Sequence, residues 1–140
     1  MKKYFIFILL CCFSTLYGQE VRPFEAKIYN SEYQMYIKMN LYDKDIIVSE
    51  DESIFGELPG YFWTKRDTRK WYMLEATLIN DHQAEVSFVN DFGSEDFVAI
   101  LTYDADGGYT LERQEGSKLK IVVNSKYVKI PKTVRFFKEN

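Results

Sequence analysis

The sequence is short of the side chains that most catalytic and metal sites use. It contains two cysteines and one histidine in 140 residues, and both cysteines, Cys11 and Cys12, lie near the start of the chain. A mature protein without this start would have no disulfide, no thiol nucleophile and no thiolate metal site. Its stability would have to come from a hydrophobic core.

The sequence also lacks a segment that is long and apolar enough to span a bilayer as a helix. Its most apolar stretch, residues 4–13, follows two lysines and precedes a short run that contains small residues. This layout predicts a secretory signal at Met1–Gly18, cleavage before Gln19 and a periplasmic or secreted protein. Lipidation at Cys11 or Cys12 is a less favoured alternative, because it would truncate the apolar stretch.

Basic residues are not in excess. The chain has 18 lysines and arginines against 21 acidic residues, a net charge of −3, and loss of the two signal lysines would make it about −5. This balance argues against nucleic acid or an anionic membrane as a partner. With 46% hydrophobic and 17% aromatic content, residues 19–140 are enough for one domain with a real core.

What the sequence has in quantity is alternation of apolar and polar residues with a period of two, the pattern of half-buried strands. The central run, Pro59–Val123, is predicted to form six antiparallel strands joined by tight turns, and a turn at Gln114–Gly116 pairs Leu111 with Leu119. No window has helical spacing. We therefore predict an all-β domain, an antiparallel meander of about ten strands that closes as a small barrel or folds as a two-layer sandwich.

The turns decide which side chains face the core, because a slip of one residue reverses every side chain of a strand. A loop at Asn80–His82 pairs Leu78 with Ala84 and, with unbroken alternation, Leu74 with Phe88. Continued through the neighbouring strands, this register predicts one inner face. Its predicted members are Tyr61, Trp63, Tyr72, Leu74, Ala76, Leu78, Ala84, Val86, Phe88, Phe97, Ala99, Leu101, Tyr103, Tyr109, Leu111, Leu119, Ile121 and Val123.

The opposite, outer face carries the one binding site that the sequence locates. The same register collects large apolar side chains there, next to basic residues, and such patches bind partner proteins or stack on sugars. The alternative is that the last predicted strand, Thr133–Lys138, folds across the patch and buries it. The residues of this hypothesis, for an unknown protein or glycan partner, are Phe62, Trp71, Met73, Lys65 and Arg66.

No set of residues combines a nucleophile, a base and an orienting group within reach of one another. The histidine, His82, is predicted at a hairpin tip, and one strand separates it from Asp91 and Ser94, about 20 Å away at ~3.3 Å per residue. Glu75 and Glu85 are expected on the outer face of neighbouring strands, where solubility explains them better than glycoside cleavage. The sequence thus predicts a non-enzymatic protein with no cofactor, and a carbohydrate-active enzyme is the least favoured alternative.

One loop, residues 91–96, concentrates oxygen ligands as calcium sites do, but it lacks the ligand spacing of an EF-hand. A capped polar turn explains its composition equally well. Asp91, Glu95 and Asp96 are therefore a weak calcium candidate, and no other metal site is predicted.

This layout of short strands and tight turns resembles small exported β-domains of Gram-negative bacteria. In strand count and inner-face aromatics, residues 23–137 are also similar to lipocalin-type barrels, although the Gly-x-Trp signature of lipocalins is missing. The first functional hypothesis is an exported, non-catalytic domain for binding or interaction. The alternative is a lipocalin-like carrier of a small apolar ligand. It requires a cavity of roughly 300 Å³ or more, whereas bulky residues such as Phe88 and Phe97 are expected to fill the barrel.

Overall fold

The structure, a computed structural model, describes residues 21–48, 55–90, 93 and 95–139. The predicted signal peptide lies outside these ranges. The described residues form twelve strands: β1 (Glu25–Asn30), β2 (Met35–Asn40), β3 (Ile46–Ile47), β4 (Glu57–Leu58), β5 (Gly60–Thr64), β6 (Lys70–Asn80), β7 (Gln83–Asn90), β8 (Asp96–Tyr103), β9 (Tyr109–Gly116), β10 (Lys120–Val123), β11 (Lys126–Lys129) and β12 (Thr133–Lys138).

Eight of these strands close into an antiparallel barrel, in the order β1, β12, β9, β8, β7, β6, β5 and β2. The last strand completes the ring, because β12 pairs with β9 on one side and with β1 on the other. Closure removes the free sheet edges that would otherwise invite association with other chains. The predicted small all-β barrel is confirmed, and the sandwich that the sequence left open is not formed.

Aromatic rings fill the middle of the barrel. Phe62 and Trp71 pack with ring centroids 5.0 Å apart, and Phe88 and Phe97 do the same at 5.0 Å. All four side chains are buried. A cavity bordered by Phe62 and Phe97 measures only about 20 Å³, room for about one water molecule. The expectation that bulky residues fill the barrel therefore holds for this layer.

A hairpin formed by β10 and β11 closes one end of the barrel. Ile121 of β10 packs in the barrel core, and so do Leu119 and Ile130, which flank the hairpin. The backbone N–H of Val122 donates a hydrogen bond to a carboxylate oxygen of Asp67, in the connection between β5 and β6, at 2.7 Å. We name this the plugged end and the opposite end the barrel mouth.

The predicted pairing of Leu111 with Leu119 is wrong. Leu111 lies opposite Leu101 on β8 and Val134 on β12. Since β9 already has a partner on each side, the strand that follows it along the chain cannot join the sheet there. It folds back on β11 instead, with Ile121 opposite Val128.

A β-bulge in β6 reverses the predicted faces of β5 and of the first part of β6. Ala76 pairs with Val86 as predicted, but Met73, and not Leu74, pairs with Phe88. The extra residue in a bulge shifts the alternation of every residue before it. Met73 is therefore fully buried, while Leu74 is 43% exposed.

The same reversal places Tyr61, Trp63 and Tyr72 on the outer wall, although the sequence predicts them inside. Tyr61 lies opposite Tyr72 across β5 and β6. Their neighbours along the two strands, Phe62, Trp71 and Met73, belong to the barrel core instead. The small hairpin of β3 and β4 packs on this part of the wall, where Val48 and Leu58 bury Tyr72. Tyr61 and Trp63 remain partly exposed.

Candidate ligand-binding site at the barrel mouth

The barrel mouth holds a cavity of about 760 Å³. The turn between β6 and β7, the end of β8, the turn after β2 and the segment before β1 surround it. Its lining residues are Val21, Arg22, Pro23, Phe24, Tyr42, Leu78, Asn80, Asp81, His82 and Tyr103.

The floor of the mouth presents apolar side chains. Leu78 continues the inward-facing set of β6 opposite the small Ala84, yet 43% of its surface is exposed. Phe24 is fully buried and Tyr103 is half-buried along the same lining. An inward-facing leucine with this exposure offers apolar surface to a molecule that enters the mouth.

Tyr42 is held in the lining by a polar turn at the end of β2. The side-chain oxygen of the buried Asn40 accepts hydrogen bonds from the backbone N–H groups of Tyr42 and Asp43, at 3.1 and 2.9 Å. Asparagine favours such turns because its side chain can bond the backbone two or three residues on. The Tyr42 hydroxyl then accepts a hydrogen bond from the backbone N–H of Phe24 at 3.2 Å. The turn thereby ties β2 to the segment before β1.

Tyr109 lies under the lining and supports it. Its hydroxyl donates a hydrogen bond to the carbonyl oxygen of Pro23 at 2.6 Å, and its ring lies 5.1 Å from that of Tyr103. Burial raises the pKa of Tyr109 to about 12, with smaller contributions from the neighbouring Tyr103 and Tyr42. The hydroxyl therefore remains a hydrogen-bond donor well into the alkaline range.

Charged groups stand at the rim of the mouth. The Arg22 guanidinium lies 4.6 Å from the centroid of the Tyr42 ring and bridges the carboxylates of Glu25 and Asp43, at 2.6 and 2.9 Å. His82 is exposed in the turn between β6 and β7. The mouth thus combines an apolar floor with hydrogen-bonding groups around its edge.

The structure places the predicted aromatic patch inside the barrel. Phe62 is 1% exposed, and Trp71 and Met73 are 0% exposed, because the bulge in β6 turns their strand segments inward. The patch is buried, but in the barrel interior, to which β12 also contributes, and not beneath a last strand that folds across an outer face. Lys65 and Arg66 are exposed just after β5. These five residues therefore form no shared exposed surface.

The catalytic candidates are not brought together among the described residues. His82 lines the mouth, and Asp91 and Ser94 lie outside the described ranges. Glu75 and Glu85 are both exposed on the outer wall of β6 and β7, as predicted.

Two of the three calcium candidates are described. Glu95 and Asp96 lie at the beginning of β8, and Asp91 does not belong to the described residues. The backbone N–H of Glu95 donates a hydrogen bond to the side chain of Asn90 at 3.2 Å, so this loop end is capped by an amide side chain. In the part of the chain that the structure describes, no three histidine, cysteine, aspartate or glutamate side chains are grouped to hold a metal ion.

Comparison of the chain with models of protein families, with curated proteins and with solved structures found no match. Among the described residues, no helix has the length and apolarity that crossing a membrane requires.

The sequence contains one signal for the mouth that strand-by-strand reasoning overlooks. In an up-and-down barrel, every second turn lies at the same end, so the turns after β2, β6 and β8 meet there. Counting turns in this way places Tyr42, Leu78 and Tyr103 at the same end of the barrel, because each lies at or beside one of these turns. The count does not reveal which end the β10–β11 hairpin closes.

Proposed function

We propose that this chain is a non-catalytic binding domain that holds a small amphipathic molecule in the barrel mouth. The observation that carries the proposal is the cavity of about 760 Å³, with its apolar floor and polar rim. Small-molecule sites typically measure ~300–1,000 Å³, are mostly apolar and carry a few placed polar groups, and the mouths of β-barrels are among their usual positions.

The lining restricts the chemical class of the ligand. An apolar body in contact with Leu78 would remove exposed hydrocarbon from water, which is favourable by about 25 cal/mol per Å². A polar end would meet His82 and the rim. Arg22 is already bridged by two carboxylates, and Asp81 adds a further negative charge, so the rim disfavours an anionic ligand. A small molecule with an apolar body and a polar end that carries no negative charge fits best.

This proposal is the carrier hypothesis in a modified form. A lipocalin-like carrier holds its ligand deep in a hollow barrel, whereas here aromatic rings fill the middle layer. The ligand would therefore lie in the mouth above Phe24 and Tyr109, in contact with the rim and open to solvent on one side.

We also propose that the protein acts in the periplasm or outside the cell after removal of Met1–Gly18. The basic start, the apolar run and the small residues that follow support this. Sequencing the N-terminus of protein recovered from its own host should give Gln19 as the first residue. An intact Met1, or a chain that begins with a lipid-modified Cys11 or Cys12, would contradict it.

Binding at the mouth is tested with N-phenyl-1-naphthylamine, an uncharged apolar dye whose fluorescence rises on transfer from water. The purified domain should bind it saturably with one site per chain. Leu78→Trp should weaken binding at least tenfold, because the larger side chain occupies the mouth. Near-ultraviolet circular dichroism and a melting curve should show that this variant remains folded.

The matched control is Ile79→Trp, which adds the same side chain one residue away. Ile79 is 53% exposed and does not line the mouth, so this variant should bind the dye as the wild type does. Absence of saturable binding, or equal affinities for the two tryptophan variants, would refute the proposed function.

A further inference from the structure

A row of aromatic side chains crosses the outer wall of the barrel. Tyr29 on β1 lies opposite Tyr36 on β2, and Tyr36 lies opposite Trp63 on β5. The ring centroids are 6.2 and 5.3 Å apart, and the planes are inclined by only 25° and 16°. Tyr61 adds a fourth ring, 4.8 Å from Trp63. Phe137 on β12 lies opposite Tyr29 and extends the row.

We name these five residues the aromatic strip. From Phe137 to Trp63 it spans four adjacent strands, about 14 Å at ~4.8 Å per strand. Phe137 is 52% exposed and the other four side chains are partly exposed. By contrast, the outward ring of Tyr72 is covered by the β3–β4 hairpin. A linear, partly exposed aromatic row of this length suits an extended ligand.

Lysines accompany the strip. The Lys27 ammonium lies 5.4 Å from the centroid of Tyr36 and 5.5 Å from that of Trp63, and the Lys65 ammonium lies 5.0 Å from that of Tyr36. Lys38 is directly opposite Lys27 in the sheet. Like charges in this arrangement repel each other, which destabilises the pair unless an anion lies between or above them.

The positive charge of these lysines is only partly compensated. Lys27 forms an ion pair with Glu139 at 2.8 Å. Within the described ranges, neither Lys38 nor Lys65 forms an ion pair. The chain as a whole has a net charge of −3, so a locally basic face is a departure from its average.

The opposite wall has a different balance of charge. The exposed carboxylates on β7, β8 and β9 are Glu85, Asp96, Glu112 and Glu115. This wall is therefore acidic, whereas the wall with the strip carries both signs, since Glu25 and Asp45 lie beside Lys27 and Lys38. An anionic ligand would be repelled from β7–β9 and directed to the strip.

We infer that the aromatic strip binds an acidic polysaccharide, with sugar rings against the aromatic side chains and carboxylate or sulfate groups against Lys27, Lys38 and Lys65. Tyrosine and tryptophan suit such contacts because each joins an apolar ring to a polar group. The site contains no mouth-lining residue, so it does not depend on the proposed function.

A membrane surface fits the strip less well than a polysaccharide does. The five members of the strip include no aliphatic side chain, although insertion into a membrane surface uses leucine as well as aromatic residues. Four of the rings pack on one another, and lysine ammonium groups lie near Tyr36 and Trp63. A nucleobase would stack on the same ring faces as a sugar ring, so a thymidine oligonucleotide is compared with the polysaccharides in the experiment below.

The test measures dissociation constants for polygalacturonate and for dextran sulfate, with dextran as the uncharged counterpart of the second. The wild type should bind at least one of the two anionic polymers and bind dextran at least tenfold more weakly. The double variant Lys38→Glu, Lys65→Glu should lose at least tenfold in affinity. Trp63→Ala should also weaken binding, while Leu78→Trp in the mouth should leave it unchanged.

Matched controls separate the strip from general charge and aromatic effects. Lys126→Glu with Lys129→Glu makes the same charge change at exposed positions of β11, and Tyr127→Ala removes a ring that is 70% exposed on the same strand. Both controls should bind as the wild type does.

Three results would overturn the inference. The first is that neither anionic polysaccharide binds. The second is equal loss of affinity in the β11 charge control. The third is tighter binding of polyglutamate, a thymidine oligonucleotide or phosphatidylserine vesicles that is lost in the Lys38, Lys65 variant, because this would assign the strip to an acidic peptide, a nucleic acid or a membrane.

Discussion

Phe62 and Trp71 face each other across β5 and β6 inside the barrel, with ring centroids 5.0 Å apart and exposures of 1% and 0%. The Phe62 ring also meets that of Phe88 edge-on at 6.3 Å. Together with Phe97, which stacks on Phe88, these rings form the packed layer of the barrel. The cavity of the barrel mouth ends at this layer, which leaves no room below it.

The two tryptophans of the chain should contribute very differently to stability. Trp71→Ala should lower the free energy of unfolding by about 3–5 kcal/mol, as the loss of a buried aromatic side chain does. Trp63→Ala, on the outer wall, should cost less than half as much. Denaturant unfolding of both variants measures the difference, and equal costs would show that the faces of β5 and β6 are assigned incorrectly.

The bulge in β6 predicts opposite results for two neighbouring residues. Met73→Ala should destabilise the domain by about 2–5 kcal/mol, because Met73 is buried in the core. Leu74→Ala should change stability by no more than about 1 kcal/mol, since Leu74 is 43% exposed. Thermal and denaturant melts check both values. A large loss of stability for Leu74→Ala with a small loss for Met73→Ala would instead indicate that β6 has no bulge and that its residues alternate without interruption.

Two glycines with positive φ should respond differently to a methyl group. At Gly107, φ is +86° and a Cβ atom would meet nothing within 4 Å, so Gly107→Ala should cost about 1–2 kcal/mol from backbone strain alone. At Gly116, φ is +98° and a Cβ would lie 2.5 Å from the carbonyl oxygen of Asp96. Gly116→Ala should therefore cost at least twice as much in denaturant unfolding. Equal costs would mean that the β8–β9 backbones are further apart here.

Stability should fall in alkaline solution partly because of Tyr109. Its pKa is about 12 in the folded protein against about 10 in an unfolded chain, so its contribution is complete below pH 10. Between pH 10 and 12 the unfolded state releases this proton while the folded state retains it, which removes about 2–3 kcal/mol.

Tyr109→Phe provides the reference for this effect. The variant should be about 1 kcal/mol less stable near pH 7, because the hydrogen bond to Pro23 is lost. It should also lose less stability than the wild type between pH 10 and 12. Parallel stability profiles for the two proteins would contradict the raised pKa.

Local pairings near tight turns could be predicted from the sequence. Leu78 lies opposite Ala84 and Ala76 opposite Val86, as predicted, although Asn80 pairs with Gln83 across a two-residue turn and a register shift between Leu78 and Asn80 restores the predicted pairing. These pairs depend on a few neighbouring residues and on a period of two, which are properties of the local chain. The predicted pairing of Leu74 with Phe88 failed, because β6 contains a bulge there. A bulge costs little free energy in the local chain, and whether it forms depends on the contacts that the side chains make in the folded barrel.

The position of a binding site was harder to predict from the sequence than the local strand pairings. The sequence predicts Phe62, Trp71 and Met73 on the outer face of the sheet, either exposed or covered by the last strand, whereas they lie inside the barrel and the partly exposed Trp63 lies on the outer face. A tyrosine or tryptophan is compatible with either face, since it is apolar along the ring and polar at one atom. The residue types of β5 and β6 therefore do not indicate which face of these strands lies inside the barrel.

The sequence by itself determined that this chain is all-β, with most strands close to their predicted places, because the alternation of apolar and polar residues is encoded within a few residues, whereas the predicted turn at Gln114–Gly116 lies within β9. Only the tertiary structure decided which face of β5 and β6 is inside, which end of the barrel is plugged and which end keeps a cavity. Those features follow from the bulge opposite Phe88, from the β10–β11 hairpin and from closure between β1 and β12. Each depends on contacts between residues distant in the chain, and the balance of packing that selects them is not visible in any short segment.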